Sequence, residues 1–379
     1  MSSNTSFKIS VFPGDGIGSE VTNPTLVLLD AVQKRLGGYS LTFESEAAGA
    51  KHYQETGVAL PDEALARADT ADAILLGAMG LPSIRYPDGR EIAPQLELRE
   101  RFELFAGVRP VRTRPGVPLP LADERAHNLD FVLIRESTEG LFASRGQTRY
   151  DGPADRPTAA HDTQTITRAG SERLFDFTFK LAEKRKSRGG RGHVTCVDKA
   201  NVIGGFFYFR QIFDELGANY SDLEKDHMYV DACAMNMVRK PWMFDVMVTE
   251  NMFGDILSDL AAGLMGGLGM APSADIGERN AVFQPCHGSA PDIAGQGLAN
   301  PTATFLSAAM MLDWLGDMHG VEACNTSAAL LEEAIDIAFA EKKLDPAEFG
   351  GTAGTKKITE TVLGVLESGE AEKKMAAKR

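Results

Sequence analysis

Cysteine and tryptophan are scarce in this chain of 379 residues, four of the first and two of the second, and no apolar run is long enough to cross a bilayer. Cys196, Cys233, Cys286 and Cys324 lie far apart with no C-x-x-C between them. That excludes a zinc set and argues against a disulfide framework; reduced thiols in a cytoplasm are the expectation. Positive charge is also in short supply. The 39 Lys and Arg against 53 Asp and Glu leave a net charge of −14, which argues against nucleic acid or an anionic membrane as partner. The opening MSSNTSFKIS has no basic flank leading into an apolar run, so no secretory signal is read there. What is present, 43% hydrophobic and 24% charged residues, suits a globular chain with room for two domains. An anionic small substrate would then have to meet a local basic pocket.

The stretch around which the rest is organised is N-M-F-G-D-I-L-S-D at 251–259, running into G-L-M-G-G-L-G-M at 263–270. If Gly254 opens a helix, Asp255 and Asp259 share one face, one turn apart, and offer the hard oxygen ligands that Mg²⁺ or Mn²⁺ prefers. An isolated D-x-x-x-D is more often an acidic first helix turn, favoured by the dipole. The neighbouring segments reverse that preference. Lys8 to Phe12 reads as a strand running into P-G-D-G-I-G and then a helix to about Leu36. Such a turn presents N–H groups to a phosphate, yet it lacks the G-x-G-x-x-G pattern and taken alone is more often structural. Pro61–Ala68 reads as a helix and Ala71–Gly77 as a buried parallel strand, so the first hundred residues alternate in the α/β manner.

Three arginines follow in an acidic chain. Arg99 falls on a helix from Ala93 to Phe102, Arg109 in the strand-like G-V-R-P-V, and Arg135 at the end of F-V-L-I-R-E. Each alone reads as a surface residue. Two of them are expected at strand ends, where α/β sheets place ligands, and guanidinium groups clamp carboxylates. The segment 146–170 reads as an arm or subunit contact, and Ser171–Arg185 as an amphipathic helix with a core stripe. The basic run 184–191 reads as a solvated helix end rather than a nucleic-acid patch. H-V-T-C-V-D-K-A-N at 193–201 is a strand ending at Asp198, Lys199 and Asn201, and a shielded lysine there can serve as a base. Asp231 begins a helix carrying Met235 and Met237, and is the natural third metal carboxylate. Phe244–Thr249 is a buried strand delivering the chain to Asp255. Asn300 is expected to cap a buried helix with Pro301 in its first turn, and the tail from Glu370 to be frayed.

Together these segments resemble the β-decarboxylating dehydrogenases, the family of isopropylmalate, isocitrate, homoisocitrate, tartrate and D-malate dehydrogenases. The resemblance covers nearly the whole chain, most specifically in N-M-F-G-D-I-L-S-D, V-D-K-A-N, and H-G-S-A-P-D-I-A-G followed by A-N-P-T, and the wording is nearest the isopropylmalate branch. It implies an α/β fold of two domains, with open mixed sheets flanked by helices and an active-site cleft between them. One domain, binding NAD, would take residues 1–105 and 266–379; the other, 106–265, would bind substrate and metal and dimerise. By the same resemblance Arg99, Arg109 and Arg135 hold the carboxylates of a hydroxy diacid, with Gln95 and Leu96 facing its C3 substituent. Lys199 and Asp231 handle the proton and reach the neighbouring copy's site in a homodimer. Asp255 and Asp259, with Asp231, bind Mg²⁺ or Mn²⁺. Ile17, His287, Gly288, Ala290, Asp292, Ile293 and Asn300 bind the nucleotide, and Asp292 favours NAD because a carboxylate repels a 2′-phosphate.

Two positions depart from the family pattern. Where members carry a tyrosine that protonates the enolate, this chain has Phe142, which keeps the ring and loses the acid. Water or Tyr150 would have to serve instead, or the enzyme would oxidise without efficient protonation, or the chain would be a regulatory subunit. Isopropylmalate enzymes place two leucines where Gln95 and Leu96 stand, so Gln95 argues for a polar C3 substituent or a pocket holding water.

Overall fold

A computed structural model describes residues 5–377. They divide into two compact units, the first holding the chain up to Phe102, Thr113–Ala122 and everything from Ala262 on, the second Glu103–Arg112 and Asp123–Ala261.

The first unit starts with strand β1 (Thr5–Gly14), helix α1 (Gly18–Leu36), β2 (Tyr39–Ser45), α2 (Ala50–Thr56), α3 (Asp62–Asp69), β3 (Ala73–Ala78) and α4 (Pro94–Arg101). Every residue of β3 is buried, as its unbroken A-I-L-L-G-A requires of a strand covered on both faces. The chain then enters the second unit. There β4 (Ala106–Arg112), β5 (Asp130–Glu136), the short β6 (Arg149–Asp151) and β7 (Ala159–His161), α5 (Arg168–Ser187) and β8 (His193–Asp198) come first. They are followed by α6 (Gly204–Gly217), β9 (Glu224–Tyr229), α7 (Val230–Arg239), β10 (Val246–Thr249) and α8 (Asn251–Leu264). Back in the first unit lie β11 (Pro272–Ile276), β12 (Ala281–Pro285), α9 (Thr302–His319), α10 (Glu322–Ala340), α11 (Thr355–Ser368) and α12 (Glu370–Ala377).

Each unit is built on a mixed sheet. In the first the order is β2-β1-β3-β12-β11, parallel except for the β11/β12 pair, in which Pro272 faces Pro285. In the second it is β4-β5-β10-β8-β9, parallel except for β4/β5. Helix α9 is apolar on nearly every side and packs on α10, β11 and β12 at the centre of the first core. In the second core, phenylalanines of α5 and α6 interlock, Phe175 against Phe209 at 4.6 Å and Phe179 against Phe213 at 5.1 Å. The arm of β6 and β7 is an exposed two-stranded ribbon. Among the described residues no helix is long and apolar enough to cross a membrane.

Four expectations are corrected here. Gly254 does not open α8; the helix begins at Asn251, because the Glu250 carboxylate accepts from Phe253 N at 2.7 Å and caps the turn before it. Arg109 sits in the middle of β4 rather than at its end, since the strand runs on to Arg112. Asn300 lies one residue outside the expected cap: α9 starts at Thr302, whose N–H donates to Asn300 Oδ1 at 3.2 Å. Over Glu370–Ala377 the tail is helical rather than frayed. Ala371 is buried, and Lys342–Glu370 at 2.6 Å, Lys374–Glu341 at 2.7 Å and an Arg35–Glu372 pair hold α12 down.

The basic run also does more than face solvent. Arg185 donates to Asp245 and Asp130, and Arg191 to Met243 O at 2.5 Å, so the run fastens the end of α5 to neighbouring loops.

Candidate active site

In the second unit, Lys199 leaves the end of β8 immediately after Asp198. The Asp198 carboxylate is fully buried and saturated: it accepts from Arg210 Nε at 2.8 Å, from Arg210 Nη2 at 2.7 Å and from Ala200 N at 2.8 Å. That knot fixes the turn from which Lys199 projects. Lys199 Nζ pairs with Asp231 Oδ1 in the first turn of α7. The Lys199 hydrogen bond, first, and a backbone N–H, second, hold the Asp231 carboxyl below its usual range. Asp231 stays two-thirds exposed, so the pair can exchange a proton with a bound molecule or with water.

Arg135 is buried near the end of β5 and its guanidinium is fully directed. Nε and Nη2 donate to Asn251 Oδ1 at 3.1 and 2.7 Å, and Nη1 pairs with Asp255. Glycine at 254 is what admits it, since a Cβ there would lie 2.6 Å from Arg135 Cβ and Cγ. Asp259 follows Asp255 by one turn of α8. Lost hydration, first, and the Asp255 charge, second, push the Asp259 carboxyl up, while Arg135 and Arg109 pull it down. Asp255 and Asp259 thus share one helix face, the first paired with Arg135 and the second half-buried beside it. Their hard oxygen donors fit a divalent cation. Among the described residues of one chain no three His, Cys, Asp or Glu side chains are grouped as a metal site, because Asp231 stands with Lys199 and not with this pair.

Phe142 opens a short 3-10 turn, and its ring lies 5.3 Å from the Arg135 guanidinium carbon. The ring therefore keeps a face for the cation and offers no proton. Tyr150, on β6, is 62% exposed in the arm.

In the first unit, Gln95 and Leu96 lie in the first turn of α4 and Arg99 one turn later. Arg99 Nε pairs with Asp275 at 2.8 Å, and the fully buried Asp275 also takes Gln284 Nε2 at 2.7 Å. Gln95 Oε1 is buried without a hydrogen-bond partner among the described residues. An acceptor in that state costs about 1–3 kcal/mol until something donates to it.

The positions expected to meet the nucleotide lie in the same unit. Ile17 forms a small apolar cluster with Val21 and Ala299, against which Ala290 and Ile293 pack. Ile17 N donates to Ser289 O at 2.9 Å. Ala290 has a φ of 36°, a left-handed conformation unusual for a residue with a Cβ and frequent at ligand sites. His287 hydrogen-bonds through Nδ1 to Gly288 O at 2.9 Å, its Nε2 is buried without a partner, and burial holds its pKa down. A neutral imidazole with an unused ring nitrogen, beside the exposed Gly288 and Asp292, fits a nucleoside with hydroxyl and ring-nitrogen groups. Asn300 is already committed. Its Oδ1 accepts from Thr302 N and, at 2.7 Å, from Thr302 Oγ1, while its Nδ2 donates to Glu348 at 3.0 Å. What it has left to offer a ligand is backbone.

The glycine turn after β1 is a clasp rather than a phosphate cradle. Asp15 N donates to Ala78 O, and the Asp15 carboxylate accepts from Ala50 N at 2.7 Å, Lys51 N at 2.9 Å and Gly80 N at 2.8 Å.

A lysine–aspartate pair, a two-carboxylate helix face tied to a buried arginine, and an apolar nucleotide segment belong together in one kind of protein. Residues 8–362 match the isocitrate/isopropylmalate dehydrogenase family, and the chain belongs to it. Among curated relatives it is similar to a 3-isopropylmalate/3-methylmalate dehydrogenase of Methanocaldococcus jannaschii, 41% identical over 94% of this chain and 97% of the relative. A homoisocitrate dehydrogenase of the same organism is 39% identical over 95% and 97%. Among solved structures, an isocitrate dehydrogenase from Methylococcus capsulatus superposes with a TM-score of 0.84 at 33% identity, covering 95% of this chain and 99% of that one.

Sequence reasoning missed Asn251, Asp275, Ser289 and Glu348. Asn251 and Ser289 stand in the quoted motifs and could have been read from them; nothing local marks Asp275 or Glu348.

Proposed function

We propose that this protein oxidises a 3-substituted (2R)-malate-type hydroxy diacid with NAD and releases CO₂ from the keto acid so formed. The observation that carries this reading is the Arg135 guanidinium, which joins a carboxylate-clamping residue to the Asp255/Asp259 face in one hydrogen-bonded group. A substrate carboxylate on the arginine would thereby lie against a cation on the aspartates.

Arg109 and Arg135 take the malate carboxylates, and Arg99 is assigned to the same acid. Lys199, assisted by Asp231, accepts the proton of the C2 hydroxyl and releases it to water. A divalent cation held by Asp255 and Asp259 would supply Lewis-acid polarisation, and NAD held by the 287–300 segment would supply the hydride acceptor. After CO₂ leaves, C3 needs a proton that Phe142 cannot supply, and water provides it.

The protein would act as a homodimer. Met235 and Val238 on α7, Val202, Ile203 and Phe207 at the start of α6, and Ile256 between the two aspartates of α8 are all exposed apolar side chains. The stacked rings of Phe206 and Phe253, 4.8 Å apart, join α6 to α8. A second copy covering this surface would bring its Lys199 and Asp231 to the first copy's Asp255 and Asp259. With its four free thiols the protein suits a reducing cytoplasm.

The orphan Gln95 Oε1 directs the choice of acid toward one with a polar C3 group. The decisive experiment follows NADH and CO₂ together with Mn²⁺ across D-malate, tartrates, 3-isopropylmalate and isocitrate. One polar acid should turn over with matched NADH and CO₂, and Gln95→Leu should shift the kcat/KM ratio toward 3-isopropylmalate by about 10- to 100-fold. If no acid yields NADH although the protein binds them, the regulatory reading that Phe142 allows replaces this one. Metal binding has its own readout. Mn²⁺ should raise the melting temperature of the wild type by several degrees and leave Asp259→Asn unmoved; equal shifts in both would remove Asp259 from the ligand set.

A further inference from the structure

The nucleotide segment from His287 to Asn300 contains no helix or strand, only turns. Its internal ties include Ile293 N to Ala290 O and Gln296 N to Ile293 O, both at 3.2 Å, and Gln296 Nε2 to Asp292 O at 2.7 Å. It holds its shape through ties to the rest of its unit. On one side Ser289 is fixed twice, its carbonyl by Ile17 N and its hydroxyl by Gly80 O. On the other, the Glu20 carboxylate in the first turn of α1 accepts from Gly295 N with one oxygen and from Gly297 N, at 3.2 Å, with the other. Farther along, Thr355 N donates to Gly297 O at 2.8 Å and Glu348 receives Asn300 Nδ2.

Asp292 and Ile293 therefore hang in a five-residue span, 290–294, between an anchor at Ser289 and an anchor at Gly295. Gly295 brings no side chain to its own fixing, and neither does Gly297. The second anchor thus depends on Glu20, which grips two backbone N–H groups with a charged acceptor, the strong kind of hydrogen bond.

We propose that Glu20 is a positioning residue for the nucleotide: by holding Gly295 N and Gly297 N it sets in advance the conformation in which Asp292 and Ile293 meet the cofactor. The proposal rests on the reading of this segment as the NAD site. Preorganised segments bind more tightly because the ordering cost is met before the ligand arrives. Loss of Glu20 should accordingly weaken NAD⁺ binding and leave the chemistry intact. Glutamine preserves one acceptor oxygen and turns N–H₂ toward the other N–H, so its effect should be intermediate.

The test is calorimetric titration of NAD⁺ into the wild type, Glu20→Gln and Glu20→Ala, alongside steady-state kinetics. Affinity should fall about threefold in the first variant and about tenfold in the second, with the KM for NAD⁺ rising in parallel. The kcat and the KM for the hydroxy acid should stay within about twofold. A merely structural role would lower the melting temperature and move all the kinetic constants together, and that result would overturn the proposal. So would wild-type NAD⁺ affinity in Glu20→Ala. Should the alanine variant not fold, Glu20→Gln decides on the same readouts. If the wild type itself binds no NAD⁺, the cofactor reading of the segment falls, and this proposal with it.

Discussion

Lys199→Met should lower kcat by about 10²- to 10⁴-fold, the contribution of a positioned acid–base group. Asp231 loses its cation in this variant but is largely exposed, so water takes over and the fold should not suffer. The melting temperature and the binding of hydroxy acid are both expected to remain near wild type. Asp231→Asn should fall between the two, since it leaves the amine in place without the carboxylate that orients it. A kcat within about threefold of wild type for Lys199→Met would remove the lysine from the proton path.

Asp198→Ala should act on the fold itself. The Arg210 guanidinium would lose both of its Asp198 bonds, and the loss of one partner from a buried ion pair costs about 3–5 kcal/mol. Urea denaturation should show the second unit unfolding at a clearly lower midpoint. Removing both partners, in Asp198→Ala with Arg210→Met, should restore part of the loss, because no unpaired charge is then left against the core. A double variant as weak as the sum of the singles would mean that the two residues contribute independently.

How much of this was legible in the sequence depended on where each charge went. Strands β3 and β10 could be read directly because they are continuous apolar runs buried on both faces. Strand β9, E-K-D-H-M-Y, lies at the end of the second unit's sheet order and is polar at four of its six positions, so it had no apolar period to detect. Strand β11 hid for the opposite reason. Its Asp275 is fully buried, and a carboxylate in a five-residue strand reads as loop until Arg99 and Gln284 are known to meet it. The candidate site residues stood out because their motifs are contiguous: V-D-K-A-N and N-M-F-G-D-I-L-S-D each hold both a candidate group and the residue that fixes it. The ties on the nucleotide segment were not, because Glu20 and Glu348 are hundreds or tens of positions from what they hold. The glycine turn after β1 has the composition of a phosphate loop, yet Asp15 folds inward and occupies the N–H groups around it.

The Glu348 carboxylate sits where the side chain of residue 269 would otherwise be: it accepts from Gly269 N at 3.0 Å, and a Cβ on that glycine would fall on its second oxygen. Positions 269 and 348 are therefore one locus for inheritance, although 79 residues separate them. A Cβ at 269 would displace the Glu348 carboxylate and also press on Asn300 Cβ and Nδ2, each at 2.9 Å. Shortening 348 first releases Asn300 and the start of α9. A change at either position therefore reaches Asn300, a dependence that neither position alone would reveal.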